Sequence, residues 1–209
     1  MDGSYPVRFA VDYPDRQLNR LTTAFRVITV IPIAVVVGLI SGYTATYGGG
    51  PETTTVVVGG GGLLFLPPLV MIVVRRRYPR WWFDWNLELL RLMNRVAAYL
   101  ALLDDRYPST EERQAVRLDV EYPDARHGLD RWLPLVKWLL AIPHLVVLVV
   151  LTVGAVLAVI GAWFSILFTG RYPRGLFDYV EGVIRWHNRV VGYAFILVTD
   201  RYPPFRLRP

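Results

Sequence analysis

The chain contains no cysteine, which excludes disulfide bridges, thiol nucleophiles and thiolate-held metals. Histidine is almost as scarce, with only His127, His144 and His187. No HExxH, GxSxG or Walker-type loop occurs, so the usual signatures of metalloprotease, hydrolase and nucleotide chemistry are missing. Charge is thin as well. Only 19% of the 209 residues are charged while 54% are hydrophobic, whereas an ordinary soluble domain carries about 25% charged residues. The deficit is local: residues 27–74 hold no Lys or Arg and one acid, Glu52, and residues 138–170 hold no Asp, Glu, Lys or Arg.

What is abundant is aromatic and basic. The net charge is +6, with 7 Trp and 12 Tyr, and seven tyrosines (Tyr5, Tyr13, Tyr78, Tyr107, Tyr122, Tyr172, Tyr202) directly precede a proline. Proline pushes the residue before it out of the helical region, so each Tyr-Pro marks the end of an element, and tyrosine suits a membrane–water boundary. Such clustered basic charge suits a membrane surface better than nucleic acid.

One signature occurs twice. Arg77-Tyr78-Pro79-Arg80, Phe83-Asp84, Arg91, Asn94-Arg95 and Tyr99 match Arg171-Tyr172-Pro173-Arg174, Phe177-Asp178, Arg185, Asn188-Arg189 and Tyr193 at a constant offset of 94. Upstream, Val7–Tyr13 matches Val116–Tyr122, and both segments alternate apolar and polar residues as strands do. Arg26 and Pro32 likewise align with Lys137 and Pro143. This is read as an internal duplication. The expected fold is a mainly α integral membrane protein of two tandem repeats, each a short strand, a transmembrane helical hairpin and an amphipathic interfacial helix.

The expected boundaries are 1–112 and 113–209. In the first repeat the spans are Leu21–Ile40 and Val56–Val74, joined by a Gly-rich loop (Gly48–Gly50, Gly59–Gly62). In the second, 132–169 is long for one helix and short for two; crossing twice, with a break near Thr152-Val153-Gly154, keeps nearly all the Lys and Arg on one side. A re-entrant hairpin is the alternative. Both termini are then cytoplasmic, and the first membrane helix serves as its own insertion signal rather than a cleaved leader. Pro32 and Pro143 are expected to kink their helices, with Arg26 and Lys137 reaching to the interface.

Asp84, Glu88, Arg91 and Arg95, and again Asp178, Glu181, Arg185 and Arg189, recur at helical spacing and form one polar stripe per helix. These predict interfacial helices over 84–103 and 178–198, with Asp84 and Asp178 as N-caps. His144 is the one titratable side chain well inside an apolar segment, either bonded to a neighbouring helix or a proton site.

The RYP…FD…NR…AY pattern, the paired Ile-Pro helices and the ending Asp200-Arg201-Tyr202-Pro203-Pro204-Phe205 resemble a bacterial membrane-protein family, common in actinobacteria and catalogued as domain-of-unknown-function family 4389. The resemblance covers nearly the whole chain and is clearest in 171–205. It implies an integral membrane protein of the bacterial cytoplasmic membrane and carries no agreed activity.

The expected function is therefore a non-enzymatic membrane scaffold or accessory subunit, without cofactor or metal, binding anionic lipid and a partner protein. The chain is expected to form a homo-oligomer or to join a larger membrane complex. The candidate lipid- or partner-binding residues are Arg75, Arg76, Arg77, Arg91, Asn94, Arg95, Arg171, Arg174, Arg185, Asn188 and Arg189. The alternative is a small oligomeric transporter or channel built from the duplicated hairpins.

Overall fold

A computed structural model of the chain describes residues 5–14, 16–41, 43–47, 54–58, 66–109, 114–126 and 128–209. Among these, four strands and eight helices follow in order: β1 (Val7–Val11), α1 (Arg20–Ala24), α2 (Arg26–Thr29), α3 (Ile31–Ser41), β2 (Tyr43–Tyr47), β3 (Thr54–Val58), α4 (Leu66–Arg75), α5 (Arg80–Leu100), β4 (Val116–Val120), α6 (Pro134–Leu140), α7 (Ile142–Thr169) and α8 (Arg174–Ala194).

The tandem transmembrane hairpins expected from the sequence are not there. Residues 21–40 fall into three short helices, α1 to α3. Of residues 56–74, 56–58 belong to β3 and 66–74 to the ten-residue α4, and residues 59–65, the glycine runs, Glu52 and His127 lie outside the described residues. Residues 132–169 become α6 followed by the 28-residue α7, which runs unbroken through Thr152-Val153-Gly154. Among the described residues α7 is the one helix long and apolar enough to cross a membrane, so the four-crossing topology is corrected to a single candidate span.

Local chemistry explains these boundaries. Proline at positions 32 and 143 removes a backbone donor and crowds the preceding turn. The helix assignment accordingly breaks just before each proline pair, at Val30 (φ −79°, ψ −19°) and at Ala141 (φ −79°, ψ −16°). Gly154 does not break α7, because the helix has another use for it. A Cβ there would stand 2.5 Å from the Tyr179 hydroxyl, which donates to Leu151 O at 3.0 Å. The missing side chain lets α8 dock against α7.

α5 and α8 start one turn earlier than expected. Their N-caps are Pro79 and Pro173, both extended, so Asp84 and Asp178 sit in the second turns rather than capping the helices. Each helix ends on a left-handed leucine, Leu102 (φ 64°) and Leu197 (φ 61°). A non-glycine residue pays for that conformation with roughly 1–2 kcal/mol. Both leucine side chains are buried, and that burial is what holds them there.

β1 and β4 pair with each other, antiparallel, in the register Val7↔Val120, Phe9↔Leu118 and Val11↔Val116. Their alternation turns Val7, Phe9, Val11, Val116 and Leu118 inward onto α8 and α5, and leaves Arg8, Arg117 and Asp119 outside. α7 packs against α8 along a stripe of His144, Leu148, Ala155, Ala162 and Ile166. A second two-stranded sheet, β2 with β3, forms apart from this core.

Candidate functional site

The cations separate into two populations. The first is buried and holds the fold. Arg26 of α2 donates to Tyr99 O at 2.7 Å and Asp104 O at 2.6 Å, with its guanidinium 4.3 Å from the Tyr99 ring centre. Lys137 of α6 repeats the arrangement, donating to Thr199 O at 2.7 Å, pairing with Asp200 at 2.6 Å and standing 5.1 Å from the Tyr193 ring. Both were expected to reach the membrane interface. Instead each secures the chain that leaves α5 or α8, Arg26 through the carbonyls of Tyr99 and Asp104 and Lys137 through that of Thr199.

Four expected binding residues belong to this buried population. Asn94 and Asn188 face each other where α5 meets α8 and exchange amide hydrogen bonds of 2.8 and 2.6 Å. Arg185 donates to Phe9 O and Leu207 O, both at 2.9 Å, and pairs with Glu181. Arg189 donates to Arg206 O and Arg208 O, both at 3.1 Å. Arg91 and Arg95 are half-buried. Arg91 binds Leu118 O at 3.1 Å and Glu88 at 2.6 Å, and Arg95 donates to Ser109 O.

The second population is exposed and gathers at the corner between α4 and α5. Arg75, Arg76 and Arg77 are all exposed, and Arg76 takes φ 48° as the chain turns out of α4. Arg76, Arg77 and Arg126 line an open cleft of about 400 Å³, together with Tyr78 and Tyr122. The Arg80 guanidinium sits 5.4 Å from the Tyr122 ring, and Arg131 donates to Val73 O at 2.7 Å. Around this corner Trp81, Trp85 and Trp132 are exposed. Arg171 and Arg174 are exposed at the start of α8, where Arg174 pairs with Asp178 at 3.3 Å and lies 4.4 Å from the Tyr13 ring. The structure thus brings Arg75, Arg76 and Arg77 together with Arg80, Arg126 and Arg131, three cations that were not singled out. For two of them the signal was available: Arg80 follows Tyr78-Pro79 and Arg131 precedes Trp132.

His144 is bonded to a neighbouring helix. Its Nδ1 accepts from Trp186 Nε1 at 3.1 Å, and its ring stacks on Phe205 with centres 4.0 Å apart. An Nδ1 that accepts places the ring proton on Nε2, which is buried and has no partner among the described residues.

Burial also acts on three tyrosines outside α7. It pushes the Tyr5, Tyr78 and Tyr172 phenols well above their ordinary pKa, although Arg189 opposes the shift at Tyr5.

α7 carries the other notable surface. It is apolar on every side yet buried only along its one stripe, and Val149, Val150, Val153, Val156, Leu157 and Phe168 are each more than half exposed. The exposed Leu21, Phe25, Val27 and Ile28 of α1 and α2 add to this apolar surface, and α1 packs on α7. A helix that is hydrophobic all round belongs in a core or a bilayer.

Fold and site together define a mainly helical protein with, among the described residues, one helix long and apolar enough to span a bilayer and an arginine–tryptophan rim. Residues 132–206, which comprise α6, α7, α8 and most of the tail, match the family model described as a domain of unknown function (DUF4389). The match covers that segment rather than nearly the whole chain. No curated protein and no solved structure matches.

Proposed function

We propose that the protein is a non-enzymatic scaffold or accessory subunit of a bacterial cytoplasmic membrane. The outer face of α7, with the exposed apolar side chains of α1 to α3 and α6, sits in lipid. The corner formed by Arg75, Arg76, Arg77, Arg80, Arg126 and Arg131 meets anionic headgroups and an acidic partner, with Trp81, Trp85 and Trp132 at headgroup level. The bacterial setting rests on the family resemblance.

The observation that carries the reading is the mismatch in α7. Its composition is apolar around the whole circumference, but the protein covers a single stripe of it. At 1.5 Å per residue its 28 residues extend about 42 Å, more than the roughly 30 Å of a hydrocarbon core. The buried Asn94, Asn188, Arg185 and Arg189 are not part of the α4–α5 corner.

The test is lipid recovery. The protein and an Arg75→Glu/Arg76→Glu/Arg77→Glu variant are purified in detergent from membranes containing phosphatidylglycerol, and bound lipid is quantified by mass spectrometry. Each basic residue near an anionic surface contributes about 1 kcal/mol, so the variant should retain less than a tenth of the anionic lipid while remaining membrane-inserted. Equal recovery would sink the headgroup role.

A further inference from the structure

A second basic site lies away from the α4–α5 corner, between β1, α8 and the C-terminal segment 204–209. The hydrogen-bond pattern of the sheet explains why it is open. Asp12 N donates to Ala115 O and Glu121 N to Pro6 O, so even-numbered residues of β1 face β4. Residues 7, 9 and 11 therefore direct their backbone groups to the unpaired edge. α8 covers part of that edge: Glu181 accepts from Val11 N at 3.1 Å and Arg185 donates to Phe9 O at 2.9 Å. The tail then crosses α8 at Gly182, where a Cβ would meet Leu207 Cβ at 2.8 Å.

Between these pieces remains a cleft of about 410 Å³, walled by Arg8, Arg117, Arg185, Arg189, Arg206 and Tyr5. That is within the size range of small-molecule sites, about 300–1,000 Å³. Its charge is unbalanced. Arg8 pairs with Glu121, Arg117 with Asp12 and Arg185 with Glu181. Arg189 is met by two main-chain carbonyls instead, and its buried Nε has no partner among the described residues. Asp119, the one acidic side chain on the wall, stands 3.6 Å from Arg91 outside the cleft, and Pro209 lines it as well. Burial and the charges of Arg185 and Arg206 push the Arg189 pKa down. Arg189 and Arg206 both line this confined space, and planar N–H forks suit phosphate oxygens.

We propose that this cleft binds a phosphate group, carried either by a small soluble phosphate ester or by a lipid headgroup, with Arg189 and Arg206 as the principal ligands and Arg8 at the mouth. Arg189 also holds the tail, so occupancy and tail position are linked.

The test uses the full chain in detergent micelles, titrated calorimetrically with inorganic pyrophosphate and inorganic phosphate at constant ionic strength. Arg206→Glu and Arg8→Glu are the variants, since Arg206 serves the fold through its carbonyl; thermal melts check that both stay folded, with Arg206→Gln as the milder substitute. Saturable binding of pyrophosphate, weakened at least tenfold in both variants and unchanged in Arg75→Glu/Arg76→Glu/Arg77→Glu, is expected for a soluble ligand. Should pyrophosphate fail but nanodiscs with phosphatidic acid stabilise the wild type and not Arg206→Glu, the phosphate comes from lipid. No saturable response to either probe, or equal affinity in wild type, Arg206→Glu and Arg8→Glu, overturns the proposal. Because the α4–α5 corner is tested with different variants, the two readings fail separately.

Discussion

Arg26 and Lys137 show how a charged side chain can be buried in a largely apolar protein. Each donates to main-chain carbonyls at or beyond the end of a helix, and each lies over a tyrosine ring. Removing such a donor strands the groups it served. Lys137→Met keeps the volume and loses the bonds to Thr199 O and Asp200, so it should lower stability by about 3 kcal/mol, measured by chemical unfolding in detergent. Asp200 is partly exposed and recovers some hydration, which places the effect at the lower end for a broken buried pair. An unchanged midpoint would show that the contact contributes nothing.

The buried phenols give a pH dependence at the same scale. Tyr5, Tyr78 and Tyr172 are held neutral in the folded chain, while in the unfolded chain they ionise near the ordinary value of about 10. A raised acid pKa means that the unfolded state loses its protons first. Stability from these groups is therefore complete below pH ~10 and declines as pH rises above it, by about 1.4 kcal/mol per pH unit per phenol. Tyrosinate absorbance should lag behind that of the denatured chain and then rise together with loss of helical circular dichroism. Phenols titrating normally in the folded protein would contradict this.

At the scale of elements, the crossing of α5 and α8 depends on a pair of amides. Asn94 and Asn188 satisfy each other, and each also donates to the carbonyl four residues earlier, at 2.8 Å for Leu90 O and 2.9 Å for Ile184 O. Asn94→Leu should cost about 2 kcal/mol because it leaves the buried Asn188 Oδ1 without its donor. The double replacement with Leu should cost less than the sum of the two single ones, since it removes both polar groups together. Additive single and double costs in unfolding experiments would rule out a direct coupling.

For the whole molecule, the question is what covers α7. Placed on its outer face, a lysine at Leu157 would cost roughly 2.5–3.5 kcal/mol in a bilayer centre and almost nothing in water. The prediction is that Leu157→Lys sharply lowers the fraction recovered in membranes, whereas the charge-conserving Arg8→Lys of β1 does not. If Leu157→Lys partitions as the wild type does, that face does not meet lipid.

What could be read without the fold were the local features. Alternation over Val7–Tyr13 and Val116–Tyr122 marked two strands, polar spacing over 84–95 and 178–189 marked two amphipathic helices, and the prolines marked two helix breaks. Each is a property of a few neighbouring residues, set by backbone sterics and by a period of two or near three and a half. The duplicated signature also placed Asn94 and Asn188 at matching positions, but not in contact. Apolar length alone could not divide 21–40, 56–74 and 132–169 correctly, because a charge-free run reads the same whether it forms one helix, three short ones or a strand and a helix.

Tertiary structure decided which cations face solvent. Arg75, Arg76 and Arg77 stay outside, whereas Arg185 and Arg189 meet β1 and the tail across more than a dozen residues of chain. Burying a guanidinium costs several kcal/mol unless distant groups are brought to it. Which groups those are depends on how the strands and helices pack, and no local pattern encodes that.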